Sequence, residues 1–281
     1  MIELTQRQER YYSNLQRNIL AAEQIKEIQK NLDRGGVEFI LLKGLALAVG
    51  LYNDLAARYS MDIDLLVRKT DLPKLKERLE NLGYQLTSPQ RAKLLEDFGC
   101  GEWVFIREGF LPLDIHWQLC QYERFKGIIR FDEEEIFRRA ADINLEGVRV
   151  KTLSDEDLFL YLAMHFGLVH NFSGPNWLYD LKLFLDKRKD NLDWELLDRK
   201  AGQANLRKVL QRVLVLARQA EPLADLKPAI RRRSYIAQAL LVDGFLNTLR
   251  VFYRMLFPSR AWLQFHYGDS NLPHRLQHFL R

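Results

Sequence analysis

Asp62 and Asp64 interrupt an otherwise apolar, β-prone run, Met61-Asp62-Ile63-Asp64-Leu65-Leu66-Val67. Side chains alternate faces along a strand, so both carboxylates point to one side. Ile63, Leu65 and Val67 point to the other and can enter a core. Two carboxylates about 7 Å apart along a rigid strand can share a divalent cation, and burying them unpaired would be costly. Mg²⁺ takes one or two carboxylates together with substrate phosphates. The pair therefore points to phosphoryl or nucleotidyl transfer.

A third acid has the same character. Asp114 interrupts Pro112-Leu113-Asp114-Ile115-His116-Trp117, and Asp114 and His116 share a face. If this strand lies beside the first, three carboxylates converge and can hold two cations roughly 3.5–4 Å apart. The arrangement fails if Asp114 turns away, or if the first two acids are closed off by Lys or Arg. The chain supplies its own control in Asp155 and Asp157, a second D-x-D. That pair sits at an expected helix start, where acids suit the dipole and cap free N–H groups. Asp62 and Asp64 have no such explanation, since Asp is disfavoured inside a strand. Lys43-Gly44 follows an expected buried strand and precedes a helix, so Gly44 permits close approach of a phosphate and Lys43 adds charge. Arg58 and Ser60, just ahead of the acidic strand, are further candidates for phosphate contact.

The elements that must position these residues are legible in the pattern. Residues 6–34 lack Pro and Gly and carry Leu15, Ile19, Ala22, Ile25, Ile28 and Leu32 at helical spacing, which predicts a long amphipathic helix ended by Gly35-Gly36. Residues 37–42 read as a buried strand, 45–53 as a short apolar helix and 72–82 as a helix. Residues 84–86 open another strand, and 87–98 read as a loop or short helix. Residues 103–106 and 113–117 form an expected hairpin around Gly109-Phe110-Leu111-Pro112. Ser154-Asp155-Glu156-Asp157 reads as a capping signature, and helical periodicity continues through 177–187, 193–200, 205–220 and 229–256. The expected fold class is α+β: an α/β core with a mixed sheet over residues 1–151, then an all-helical domain over 152–281.

Composition narrows the function classes. A hydrophobic content of 47% in 281 residues fills a sizeable core. Cys100 and Cys120 form no disulfide framework, which suits a reducing compartment. The first residues are polar, with no apolar signal segment, and no run of about 18 apolar residues occurs. No membrane span is expected, and the expected compartment is the cytoplasm. Residues 226–281 hold nine Lys/Arg against two Asp/Glu, Arg231-Arg232-Arg233 among them. That reads as a solvated basic face, with nucleic acid or an acidic partner as the sharper alternative.

The order Leu41-Leu42-Lys43-Gly44, Arg58, Met61-Asp62-Ile63-Asp64-Leu65-Leu66-Val67 and Leu113-Asp114-Ile115-His116-Trp117 resembles the bacterial family of uncharacterised nucleotidyltransferases, within the polymerase-β-like superfamily. The stretch His165…His170…Trp177-Leu178-Tyr179-Asp180-Leu181 resembles the helical half of these proteins. The resemblance covers about residues 37–185 and implies transfer of a nucleoside monophosphate from an NTP, with pyrophosphate leaving. It implies two Mg²⁺ ions held by Asp62, Asp64 and Asp114, with Lys43, Gly44, Arg58 and Ser60 on the nucleotide. The acceptor stays open: a small molecule, a protein or an RNA. Two departures stand out: Leu45 where the superfamily usually has Ser or Gly, and a long gap from Gly44 to Asp62. The alternatives are a non-catalytic nucleotide- or partner-binding protein on this fold and an RNA-modifying toxin of the same superfamily. A glycosyltransferase is disfavoured, because a D-x-D at residue 62 leaves no room for its preceding nucleotide-binding region.

Other polar residues read as structural. On an α-helix His165 and His170 stand about 140° apart and are poorly set to share a metal. Asp180 reads as a packing partner. Trp262, Phe265 and Tyr267, near Arg260, read as a docking element rather than a base-stacking platform.

Overall fold

The computed structural model describes residues 5–98, 101–220, 235–259 and 262–263. Cys100, Arg231, Arg232, Arg233, Arg260, Phe265 and Tyr267 lie outside the described residues. The chain divides into two compact units. One comprises Met1–Lys93, Glu102–Leu119 and Glu133–Ser154, and the other Leu94–Gly101, Cys120–Asp132 and Asp155–Arg281.

The first unit is built on a seven-stranded mixed sheet. Its strands are β1 (Phe39–Leu41), β2 (Ile63–Val67), β3 (Gln85–Leu86), β4 (Glu102–Ile106), β5 (Leu113–His116), β6 (Ala141–Leu145) and β7 (Val148–Thr152). Their order is β3-β4-β5-β2-β1-β7-β6. The β2/β5 and β1/β7 pairs are parallel, and the remaining pairs are antiparallel. The expected 103–117 hairpin is present as β4/β5. The β6/β7 hairpin is not among the expected elements, although both strands alternate apolar and polar residues; β6 is largely exposed, with only Leu145 buried. Its turn puts Glu146 and Gly147 at φ 47° and 90°, where glycine at the second place relieves the strain.

The helices that precede β6 are α1 (Gln6–Gly35), α2 (Leu45–Leu47), α3 (Leu72–Asn81), α4 (Pro89–Phe98) and α5 (Glu133–Arg139). Helix α1 opens with a capping box: Gln8 N–H donates to Thr5 Oγ1, and the Thr5 N–H donates to Gln8 Oε1. It ends on Gly36 at φ 64°, a left-handed cap. Ala22, Ile25, Ile28 and Leu32 are fully buried as the spacing predicts, whereas Ile19 is exposed. Ile25, Ile28 and Leu32 join Leu72, Leu75 and Leu79 of α3 (Leu72–Asn81), together with Leu65, Phe105, Leu113 and Ile115 of the sheet, in the buried apolar set.

Two polar residues on α1 are also buried, and the periodicity gave no sign of them. Asn18 Nδ2 donates to the carbonyls of Leu55 and Arg58, the second at 2.8 Å. Gln24 exchanges two bonds with the Leu111 backbone, at 2.7 and 3.1 Å. These amides stitch the helix to the loop before β2 and to the turn before β5. Both of those segments lead into acidic strands.

The second unit is helical among its described residues: α6 (Asp155–Met164), α7 (Pro175–Arg188), α8 (Trp194–Gln203), α9 (Arg207–Gln219), α10 (Tyr235–Leu240) and α11 (Phe245–Leu256). The periodic run 229–256 is broken between α10 and α11, where Gly244 sits at φ 85° and Asp243 accepts bonds from the Arg207 and Lys208 N–H groups that open α9. The control pair Asp155/Asp157 lies in the first turn of α6, as the helix-start reading expects, and each acid is ion-paired as well. Asp157 forms a buried ion pair with Lys200 at 2.9 Å, and Asp155 pairs with Arg188.

The histidine geometry corrects the expectation for positions 165 and 170. Residues His165–Val169 form a π-helical turn, with the His170 N–H donating to the His165 carbonyl at 3.1 Å. An i→i+5 turn stacks residues that an α-helix would hold far apart around its axis. The two Nε2 atoms stand 3.0 Å apart.

Asn18→Ala removes two hydrogen bonds that hold the 55–58 loop to α1, leaving the one from Asn14 Nδ2 to the Ala56 carbonyl. Loss of about 1–3 kcal/mol of stability is expected, measurable by urea unfolding. An Ile19→Ala control on the exposed face should fall within about 0.5 kcal/mol of the wild type.

Candidate active site

The site forms on one face of the sheet, where β2 and β5 run parallel. Their register sets Asp64 opposite Asp114 and Leu66 opposite His116. On the far side of β5, Val104 of β4 faces Asp114 and Glu102 faces His116. Residues paired this way present side chains to the same face, so Asp64, Asp114, His116 and Glu102 gather there. Asp62 lies one residue before β2, rather than within the strand as its apolar neighbours suggested. Its charge is nonetheless felt at Asp114, and that of Asp64 at Asp62.

Asp64 is the hub, with a relative exposure of 2%. Its Oδ1 meets Lys43 Nζ at 2.8 Å and His116 Nε2 at 2.9 Å. His116 is equally buried, and its Nδ1 lies 3.6 Å from Glu102 Oε2. Burial alone would raise the Asp64 carboxyl, but the Lys43 ammonium and the His116 hydrogen bond outweigh it and hold it well below the usual carboxylate range. Burial would likewise lower His116, yet its bond to Asp64 and the charges of Asp64 and Glu102 raise it. Asp114 is pushed up to about 7 by burial and by the negative charges of Glu102, Asp64 and Asp62. Asp62 is raised by burial and by Asp64.

Lys43 thus stands on Asp64 rather than open to a phosphate. That ion pair is made to Asp64 Oδ1. Asp64 Oδ2 is buried and has no hydrogen-bond partner. Among the described residues no group of three or more His, Cys, Asp or Glu is drawn together as a ready metal cage. The donor set still suits a hard cation: carboxylate oxygens, one buried oxygen with an unused lone pair, and an acid held near neutrality by its negative neighbours.

The glycine turn has a steric logic. Gly44 adopts φ 54° and ψ −106°, and a Cβ there would collide with Ser60 Oγ. Ser60 Oγ donates to the Asp62 carbonyl at 2.8 Å, so the Gly44/Ser60 contact fastens the Lys43-Gly44 turn to the head of β2. Leu45 is buried in the core at 2% exposure. Arg58 is buried as well, and its Nη1 donates to the Tyr59 carbonyl. The structure therefore brings Asp62, Asp64, Asp114, Lys43, Gly44 and Ser60 into one neighbourhood, and Arg58 Nη1 braces the loop that leads to it.

Glu102, and His116 as the partner of Asp64, were missed as site residues. The signal was available. Glu102 sits two residues before Val104 on the strand paired to Asp114, and His116 shares the Asp114 face.

The raised Asp114 carries a pH signature. A carboxyl whose folded value is about 7, against an ordinary 3.8, contributes stability below pH 4 that is lost as the pH rises through 7. In EDTA, the melting temperature of the wild type should fall relative to Asp114→Asn between pH 5 and pH 8. Parallel melting curves would refute the assignment.

A model of the family described as "Uncharacterised nucleotidyltransferase" matches residues 3–220. A search of curated proteins finds no match. Among solved structures, the antibiotic-resistance factor ANT(2'')-Ia in solution is similar at 16% identity and a TM-score of 0.45, with 72% of this chain and 97% of that chain covered. The crystal structure of ANT(2'')-Ia in complex with adenylyl-2''-tobramycin follows at 15% identity and 0.42, covering 71% and 99%. A nucleotidyltransferase-like protein from Paracoccidioides brasiliensis is similar at 17% and 0.40, covering 73% and 93%.

Proposed function

The chain belongs to the family of uncharacterised nucleotidyltransferases, and from that premise we propose that it transfers a nucleoside monophosphate from an NTP to an acceptor nucleophile in a Mg²⁺-dependent reaction. The observation that carries this reading is the register of β2 and β5, which sets Asp64 opposite Asp114 with Asp62 at the strand head. Asp62, Asp64 and Asp114 would hold the cations, using the unpartnered Asp64 Oδ2. When bound, Mg²⁺ neutralises the triphosphate and favours attack on the α-phosphorus.

The protein's own groups divide the remaining work. His116 and Lys43 fix the Asp64 carboxylate in its ionised form, and Glu102 lies on the other side of the His116 ring. Asp114 would complete one cation site and help orient or deprotonate the acceptor; the repulsion that otherwise raises its carboxyl would give way to attraction by the bound cation. Lys43 is within side-chain reach of anionic oxygens that approach Asp64. Ser60 and the bare backbone of Gly44 shape the turn where the triphosphate would lie. The acceptor is a small-molecule hydroxyl, a protein side chain or an RNA end.

One observation favours a second reading, a nucleotide- or partner-binding protein without catalysis. The Lys43–Asp64 ion pair already supplies a positive charge where a cation would sit, and Leu45 offers no hydroxyl to a phosphate. Radiolabelled NTPs incubated with cell extract separate the readings, since an enzyme labels an acceptor and a binder labels nothing.

Asp62→Ala and Asp64→Asn should each weaken Mg²⁺-dependent NTP binding at least tenfold by isothermal titration, with circular dichroism unchanged. NTP affinity equal to wild type in both variants would reject the metal role.

A further inference from the structure

We propose that His165 and His170 form a two-imidazole chelate for a late first-row divalent cation, Ni²⁺ or Cu²⁺, independent of the carboxylate site. The two Nε2 atoms stand 3.0 Å apart. In the protein as it stands, that is the separation of a shared proton. Metal–imidazole bonds of about 2.0–2.1 Å spanning 3.0 Å subtend an angle near 90°. That is the cis angle of tetragonal or octahedral coordination, which Cu²⁺ and Ni²⁺ favour.

The pair is preorganised by its backbone and its neighbours. The π turn His165–Val169 superposes the two side chains, and π turns inside helices often mark functional positions. Gly167 lets the turn pack against α9, because a Cβ there would lie 2.8 Å from Val209 Cγ1 and 3.2 Å from the Phe172 ring. Trp177 of α7 stacks on His170 at 4.7 Å with an interplanar angle of 20°, and meets the His165 ring edge-on at the same distance. Both histidines are half-buried, which leaves an approach from solvent. Among the described residues no third His, Cys, Asp or Glu completes the group, so water or a small ligand would fill the other positions. Nitrogen donors exclude Mg²⁺ as the occupant.

The stacked Trp177 provides the readout. The test uses full-length protein in which His266, His274 and His278 are Asn, so that the other histidines of the C-terminal segment do not compete. Titration with Ni²⁺ should quench fluorescence with saturation at one ion per chain, and Trp177→Phe should remove most of the quench. His165→Gln and His170→Gln should each weaken binding at least tenfold, whereas Asp64→Asn should not change it. Equal Ni²⁺ affinity in the parent and both glutamine variants would overturn the proposal. If a glutamine variant fails to fold, Cu²⁺ bound to the parent decides by electron paramagnetic resonance: two imidazole nitrogens support the chelate, and one or none overturns it.

Discussion

The parallel pairing of β2 with β5 is the constraint on which the site depends. It joins segments fifty residues apart in the chain and sets Asp64 against Asp114. Like charges that close repel, and their burial sharpens the repulsion. The fold answers with two cationic groups on one Asp64 oxygen, the Lys43 ammonium and the raised His116 imidazole. What compensation remains undone shows in Asp114, whose carboxyl is held near neutrality. Side chains repeat every two residues along a strand, so a slip of one position would send Asp114 to the opposite face. Gln24 opposes such a slip by gripping Leu111 just ahead of β5.

The same logic explains why α1 is long. Its apolar stripe serves the core, but its buried amides serve the site. Asn18 holds the loop that carries Arg58 and leads to Ser60, and Ser60 in turn fastens the Gly44 turn to the head of β2. Positioning therefore passes from helix to loop to strand through hydrogen bonds to backbone carbonyls, which fix distance as well as direction.

Much of this was legible in the sequence. Acids inside apolar β runs marked Asp64 and Asp114, which the strand register sets opposite each other, whereas Asp62 lies just ahead of β2. Helical spacing announced α1, and Gly109-Phe110-Leu111-Pro112 announced the β4/β5 hairpin. Three things were not legible, each for its own reason. The β6/β7 hairpin does alternate apolar and polar residues, but each run is five residues long and β6 lies exposed at the sheet edge apart from Leu145, so the signal is weak. Asn18 and Gln24 look like surface residues, since only their backbone partners reveal why they are buried. The His165/His170 contact defeats any reading that turns every helical residue by the same angle, because a π turn changes that angle locally.

Lys43 has a consequence of its own. Small metalloproteins commonly unravel when stripped of their ion, because ligand binding and folding are one event. Here the tethered ammonium already balances Asp64, the most buried of the three acids at the candidate site. On the proposed reading, the sheet would not have to wait for the ion, and the cation would enter a site whose charge is already balanced.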